Sequence, residues 1–337
     1  MTGPGPTATR MAKTLDAAIE KAAAFLRQRL RAGEYGLACL GSDRAPRFSD
    51  NKGHVFVASF IAEAMTGLFD EIDRTIVLVR ILSEENDGQW GFSPPGPCHR
   101  DESRVFHVDS DDTAYVIRTL RRFGVNRPPE CLVRFYREPE RLFVTFNVPG
   151  PTSLTTEASP RHNFLAHPEV NANVFLALQG THLERLVNYD MLLQAQNEQG
   201  YWRSYFYPSP LFGTLLALDV LHGKPAYAVA TKRALAFIVA SQNSDGSWGV
   251  NGDSYETALA VAALAGQQDC AVAMHRGVEH LRSNAAPDGS WRSGACLWEF
   301  HAAESDVWRA YDMHGTFVTA RCLTALRRAV GQLTPLP

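Results

Sequence analysis

The chain lacks a Lys/Arg stripe and a Cys-x-x-Cys pair, and no apolar run approaches the ~18 residues that a membrane span requires. Each absence removes a class of function. With 33 basic against 36 acidic residues and a net charge of −3, the charge pattern offers nothing to a nucleic-acid backbone. The runs Arg27-Gln28-Arg29-Leu30-Arg31 and Arg121-Arg122 read as solvated helix faces. Met1 to Arg10 is rich in Gly, Pro and Thr and has no export-signal core, so a cytoplasmic location is expected. Cys39, Cys98, Cys131, Cys270, Cys296 and Cys322 are scattered, as reduced and mostly buried thiols would be. Cys98-His99, Asp269-Cys270 and Cys296 with His301 come nearest to zinc ligands, but none has ligand-like spacing, so packed thiols are the expectation. No segment reads as a sheet.

What is present is a repeat. Gln242-Asn-Ser-Asp-Gly246-Ser-Trp248 has relatives in Asn86-Asp-Gly88-Gln-Trp90, Gln196-Asn-Glu-Gln-Gly200-Tyr-Trp202 and Pro287-Asp-Gly289-Ser-Trp291. A weaker copy is Gly33-Glu-Tyr35-Gly36. Trp202, Trp248 and Trp291 stand 46 and 43 residues apart. Trp90 and Trp202 are 112 apart, which leaves room for one more unit, its degenerate signature near Phe143 to Phe146. The count is six.

Before each signature an amphipathic helix is expected, as at Leu183–Gln196 and Thr231–Gln242. After each comes a helix richer in Ala, Leu and Val: His54–Met65, Thr113–Arg121, Asn171–Gln179, Pro210–Leu221, Glu256–Ala265 and Gly315–Ala329. A helix apolar on most sides must be buried on most sides. Six such helices inside and six amphipathic ones outside make an all-α, α6/α6 toroid over residues 11–332, behind a disordered N-terminus at 1–10. In the signature, Gly supplies a positive φ and Asp bonds nearby backbone. Gln satisfies helix-end groups and Trp covers them, stapling the repeats without touching a substrate. Two irregular stretches, Ser93–Val108 and Val148–Ala166, are placed to cover one mouth of the ring.

Between those stretches Asp109-Ser110-Asp111-Asp112 opens an apolar helix. Three carboxylates in four residues repel one another, and burial penalises each ion. Such a cluster is a helix cap or a held proton. Asp109 or Ser110 can accept from backbone N–H, and Asp112 suits the helix dipole. Equally, like-charge neighbours and burial can keep one carboxyl protonated while the helix N-terminus eases the proton's release.

The Gln-x3-Gly-x-Trp repeats together with Asp109-x-Asp111-Asp112-Thr113-Ala114 resemble the class II terpene cyclases, the squalene-hopene and copalyl-diphosphate type. The repeats cover most of the chain, but protein prenyltransferase β-subunits share them. The acidic motif is the specific part. The resemblance implies cyclisation of a linear isoprenoid started by protonation, with Asp111 as general acid and Asp109 and Asp112 tuning it. It implies no cofactor, with Mg²⁺ entering only if the substrate keeps a diphosphate. The Asp-Asp-x-x-Asp metal motif of ionisation-initiated synthases is missing, since Thr113, Ala114 and Tyr115 follow Asp112.

A carbocation also needs a dry, π-rich wall. Candidates near inner-helix starts are Tyr205, Phe206, Tyr207, Tyr255, Trp308 and Tyr311. Polar positions at the same level are His54, Glu169, Asn171, Asn173, Glu256 and His314. Of these, His54, Glu169, Asn173, Phe206, Tyr207, Tyr255, Trp308 and Tyr311 are expected at the substrate. Lys52, Arg100, Arg104 and Arg161 are the cations available to a diphosphate. The expected partner is a hydrophobic isoprenoid, not nucleic acid; a peripheral membrane contact or a homodimer is compatible. Two-toroid cyclases hold substrate between their rings, so the second wall here is left to the long loops or to a second copy. The alternatives are a non-catalytic isoprenoid-binding scaffold and a zinc-dependent prenyltransferase β-subunit-like protein.

Overall fold

The computed structural model describes residues 6–49, 54–92, 108–147 and 153–331. The chain forms eleven α-helices there: α1 (Pro6–Ala32), α2 (Val55–Ala64), α3 (Glu71–Ser83), α4 (Ser110–Arg122), α5 (Pro168–Leu178), α6 (Tyr189–Ala195), α7 (Pro210–Leu221), α8 (Ala228–Ala240), α9 (Ser254–Leu264), α10 (Ala271–Ser283) and α11 (Thr316–Ala329). A short 3-10 helix, Pro129–Phe135, takes the place of a twelfth. The expected N-terminal boundary at residue 10 falls inside α1.

The even packing order makes a closed ring. α2 touches α4, α4 touches α5, and the contacts run on through α7, α9 and α11 back to α2. The remaining helices lie outside; α8 bridges α7 and α9, α10 bridges α9 and α11, and α1 rests on α11, which joins the first repeat to the last. Every residue of α5 is buried, as is α4 from Ser110 to Leu120. Outer helix α8 buries only Ala230, Ala234 and Ile238, four residues apart. This is the α6/α6 toroid, built of six helical hairpins.

The signature turns hold the ring together. Trp90, Trp202, Trp248 and Trp291 are fully buried. Their indole N–H groups donate to the carbonyls of Ile81, Leu192, Ile238 and Leu281 at 2.7, 2.6, 2.7 and 2.8 Å, near the end of the preceding outer helix. Their backbone N–H groups donate to Thr113, Thr214, Thr257 and Thr319 on the following inner helix. In the third unit Phe143 takes the tryptophan's place, and Asn171 accepts its N–H at 2.8 Å in place of the threonine. Gln196 and Gln242 each donate both to the turn glycine's carbonyl and to Ala230 or Ala273 of the next outer helix.

The turn glycines have positive φ, and a Cβ on Gly289 would stand 2.6 Å from the Lys21 carbonyl oxygen of α1. Gly289→Ala is therefore expected to cost roughly 2–4 kcal/mol, from left-handed strain plus the clash across the ring closure. A melting curve within 1 °C of wild type would contradict this seam.

Two small sheets correct the expectation of none. Strands β1 (Leu37–Leu40), β2 (Pro46–Ser49), β5 (Trp298–Ala303) and β6 (Asp306–Asp312) form an antiparallel sheet in the order β2-β1-β6-β5. β3 (Tyr136–Arg137) and β4 (Leu142–Phe143) pair separately. The four-stranded sheet grows from loops of the first and last units: two local hairpins, β1–β2 and β5–β6, are joined by the β1–β6 pairing across more than 250 residues.

The two ends of the inner barrel differ in charge. Glu63, Arg122, Arg328 and Asp219 gather at the helix C-terminal ends, with Glu63 3.3 Å from Arg328 and Arg328 2.9 Å from Asp219. Burial alone would raise the Glu63 carboxyl, but the guanidiniums of Arg122, Arg328, Arg321 and Arg118 bring it down to about 2. The carboxyls described next sit at the opposite, N-terminal end.

Candidate active site

Asp109 is the N-cap of α4, and its carboxylate accepts from the Asp112 N–H at 2.8 Å. Its own N–H donates to the Trp90 carbonyl, so the signature turn of the second unit delivers the motif. The cap reading is thus satisfied by Asp109 alone, and Asp111 is left for another task. Asp111 is 7% exposed. Its Oδ1 accepts from Asn173 Nδ2 at 2.9 Å, and its Oδ2 is 2.7 Å from the Tyr207 hydroxyl. Asn173 Nδ2 also donates to the Asp111 carbonyl at 2.8 Å, and Asn173 Oδ1 accepts from Arg118 at 2.7 Å.

Burial raises the Asp111 carboxyl to about 6, although Tyr207, Asn173 and the Arg118 charge pull the other way. Burial also raises Asp109 and Asp112, which repel each other and share a hydrogen bond. The cluster therefore holds protons near neutrality.

These carboxyls face a narrow pocket with about 20 Å³ of free space, lined by Phe92, Thr145, Phe146, Phe206, Tyr207 and Trp298. Five aromatic rings surround the acids, and no Lys or Arg is among the described residues lining it. Phe92 stacks on Trp298 at 4.4 Å, and Phe206 lies parallel to Trp298 at 6.2 Å. The lid is β5, whose Glu299 N–H donates to the Phe206 carbonyl at 2.8 Å. The segment 153–166 braces it, with Asn163 donating to the His301 carbonyl at 2.8 Å. Part of the wall that a second toroid would provide is thus built from this chain. The loop 93–107 lies outside the described residues.

The expected site residues divide into three groups. Asn173, Phe206 and Tyr207 stand at Asp111 or line its pocket. His54 and Glu169 lie behind that wall. His54 caps α2, and its ring lies 4.6 Å from that of Phe92, tilted by 58°. Glu169 accepts from the N–H groups of Tyr205 and Phe206 at 2.8 and 3.0 Å, and burial raises it to about 8. Three expectations are corrected. Tyr255 is fully buried inside the ring, 5.8 Å from Phe317, and does not line the pocket. Trp308 and Tyr311 lie on β6; Trp308 donates to Asp306, and Tyr311 lines a separate hollow with Leu40 and Arg44. They were expected on an inner-helix start that is in fact a strand.

Phe92, Thr145, Phe146 and Trp298 escaped the sequence reading. Phe92 follows a Trp-Gly signature by one residue, which marked its place; Trp298 needed the sheet. Of the cations, Arg161 is exposed, and Lys52, Arg100 and Arg104 lie outside the described residues. Cys39, Cys131, Cys270, Cys296 and Cys322 are free thiols, and Cys98 and His99 fall outside the described residues. Among the described residues no three His, Cys, Asp or Glu are grouped to hold a metal, and no helix is long and apolar enough to cross a membrane. A larger hollow, about 730 Å³, opens at the start of α9 beside Asp253, Glu256 and Arg292, but it contains none of the motif carboxyls.

Residues 172–297 match the family model of the squalene-hopene cyclase C-terminal domain. The chain is related to the class II terpene cyclases. The match takes in Asn173 and Tyr207 and stops short of the acidic motif, which rests on its own residues. A curated relative, labda-7,13-dienyl diphosphate synthase of Streptomyces clavuligerus, is 29% identical over 163 residues, 45% of this chain and 28% of that protein. The aligned stretch is thus under a third of the relative's length. Among solved structures, ent-copalyl diphosphate synthase from Streptomyces platensis superposes with a TM-score of 0.61 at 24% identity, over 82% of this chain and 50% of that one. A variant of the type II terpene cyclase MstE from Scytonema, in complex with geranylgeranyl dihydroxybenzoate, superposes with a TM-score of 0.72 at 18% identity, over 95% of this chain and 99% of that one. The latter pairs this fold with a chain of the same span.

Proposed function

We propose that the chain is a class II, protonation-initiated cyclase of a linear isoprenoid, a terpene or a meroterpenoid, with Asp111 as the general acid. The observation that carries this reading is a buried carboxyl, bonded to Asn173 and Tyr207 and raised by burial to about 6, at the edge of an aromatic pocket. An alkene is a very weak base, so its donor must be strong yet still carry its proton. Burial keeps the proton on Asp111, while Asn173, Tyr207 and Arg118 stabilise the carboxylate left behind. In the step, the Asp111 O–H bond breaks and the alkene π pair forms a C–H bond. The cation that results sits among Phe92, Phe146, Phe206, Tyr207 and Trp298, whose faces favour positive charge. A further double bond then closes the ring, a C–H bond beside the final cation gives up its proton to water and leaves a new double bond, and solvent returns a proton to Asp111. The kinship with diphosphate synthases and the structural likeness to a cyclase of a prenylated aromatic both point to a prenyl chain; the head group is open to either kind.

The test is incubation of the protein with linear prenyl diphosphates, squalene and prenylated dihydroxybenzoates, followed by mass spectrometry. A cyclised isomer of one substrate, equal to it in mass, is expected. Unchanged substrate throughout the panel would remove the reading. Its pH dependence has a definite sign. The active form is the protonated one, and the folded value is raised to about 6, so kcat/KM is full on the acid side. It falls about tenfold per unit as pH rises above that value. A rate that climbs with pH through this range would exclude a carboxylic acid as donor.

A further inference from the structure

We infer that Arg118, two turns along α4 from Asp111, is a positioning residue for the acid: by donating to Asn173 it decides which end of that amide faces Asp111. It thereby decides which carboxyl oxygen carries the proton to be transferred. The inference rests on the reading of Asp111 as the acid.

The two ends of an asparagine amide have nearly the same shape, so packing alone does not orient it. Arginine can only donate. Arg118 Nη1 is 2.7 Å from Asn173 Oδ1, which turns Nδ2 toward α4. There Nδ2 meets both the Asp111 carbonyl, at 2.8 Å, and Asp111 Oδ1, at 2.9 Å. An amide hydrogen is fixed on Oδ1, whereas the Tyr207 hydroxyl, which donates to the Oδ2 of the carboxylate at 2.7 Å, can turn to accept instead, so the acid's own proton belongs on Oδ2. Asp111 and Tyr207 both line the pocket, so this oxygen is on the side a substrate approaches. A flipped amide would offer its carbonyl to Oδ1, draw the proton to that oxygen and weaken the acid.

The groups acting on Asp111 come from three elements. Asp109, Asp112 and Tyr115 belong to α4, Glu169 and Asn173 to α5, and Tyr207 precedes α7. Arg118 is the cation among them. Arg118 itself faces Asn173, the Tyr115 ring at 5.5 Å, and the charges of Glu63, Arg121 and Arg122. Glu63 keeps Arg122, Arg321 and Arg328 when Arg118 is replaced, so no buried carboxylate is stranded.

Three variants separate the effects. Arg118→Lys keeps the charge and a donor, Arg118→Gln keeps a donor alone, and Arg118→Met keeps neither. The readout is the Asp111 carboxyl titration in ¹³C-aspartate-labelled protein, its signal identified by its loss in D111N. Midpoints are expected to rise in the order Lys, Gln, Met, reaching about one pH unit for Met. On the substrate found by the panel, the basic limb of kcat/KM should move upward by the same amount while the plateau falls about tenfold. Midpoints that stay within ~0.2 unit of wild type in folded variants, at ~0.1 unit precision, would overturn the inference. If Arg118→Met does not fold, the Lys and Gln variants alone decide. The titration needs no substrate, so a failed panel would sink the cyclase reading without touching this result, and unmoved midpoints would sink this result without touching the cyclase reading.

Discussion

Asp111→Asn is expected to abolish the cyclised product, by about 10³-fold or more, and to leave the fold intact. General-acid catalysis supplies on the order of 10²–10⁴ in rate, and an amide cannot surrender a proton to a carbon–carbon double bond. The fold should survive because an amide has the shape of the carboxyl and burial disfavours the charge it removes. Its carbonyl can still accept from Asn173, and its NH₂ can donate to Tyr207. The change in stability should stay within about 1 kcal/mol. Product analysis beside a melting curve checks both halves. Undiminished product from a folded D111N protein would take the acid role away from this residue.

Trp248→Ala is expected to act in the opposite way, breaking stability rather than chemistry. Removing a fully buried tryptophan costs about 3–5 kcal/mol. Here it also strands the Ile238 carbonyl, which accepts from the indole at 2.7 Å. The ring fills the space beside Gly277 of α10, where an added Cβ would stand 2.7 Å from it. One side chain therefore ties α8 to α10, while the bond to Thr257 of α9, made by the Trp248 backbone N–H, survives the substitution. Calorimetry should show Tm lowered by roughly 5–15 °C. An unshifted Tm would mean that the signature tryptophans are not the staples of the ring. The stapling is expected to be separate from catalysis, since none of the four lines the acid pocket.

Much of the fold was legible because its information is local. Each inner helix was visible as an Ala/Leu/Val-rich run, and the observed α7, Pro210–Leu221, coincides with the expected span. The degenerate third unit was also in reach, since Phe143 occupies the tryptophan's place, but its partner Asn171 read as a site candidate rather than as a stand-in for the signature threonine. The long outer helix expected at Leu183–Gln196 is instead a 3-10 turn followed by α6, a break at Val187-Asn188 that periodicity does not reveal. At the site, Asp111, Asn173, Phe206 and Tyr207 could be proposed from their positions at helix starts. Trp308 and Tyr311 went astray for a physical reason. Aromatic spacing looks alike on a helix approach and on a strand, and the strand is held by β5 on one side and by β1, from the first repeat, on the other.

The repeat period, the turn glycines and the bare acidic tetrad belong to the sequence, and they determined a ring of six hairpins with carboxyls at one inner-helix start. The cap is settled within one turn, but the surroundings of Asp111 were decided by tertiary structure alone. Asp109 meets the Asp112 N–H within its own turn, whereas the partners of Asp111 come from α5 and from the approach to α7, 62 and 96 residues away. The pocket wall likewise exists only once β5 folds back over Phe206. Proton retention depends on burial, and burial is a property of the closed ring rather than of any segment within it.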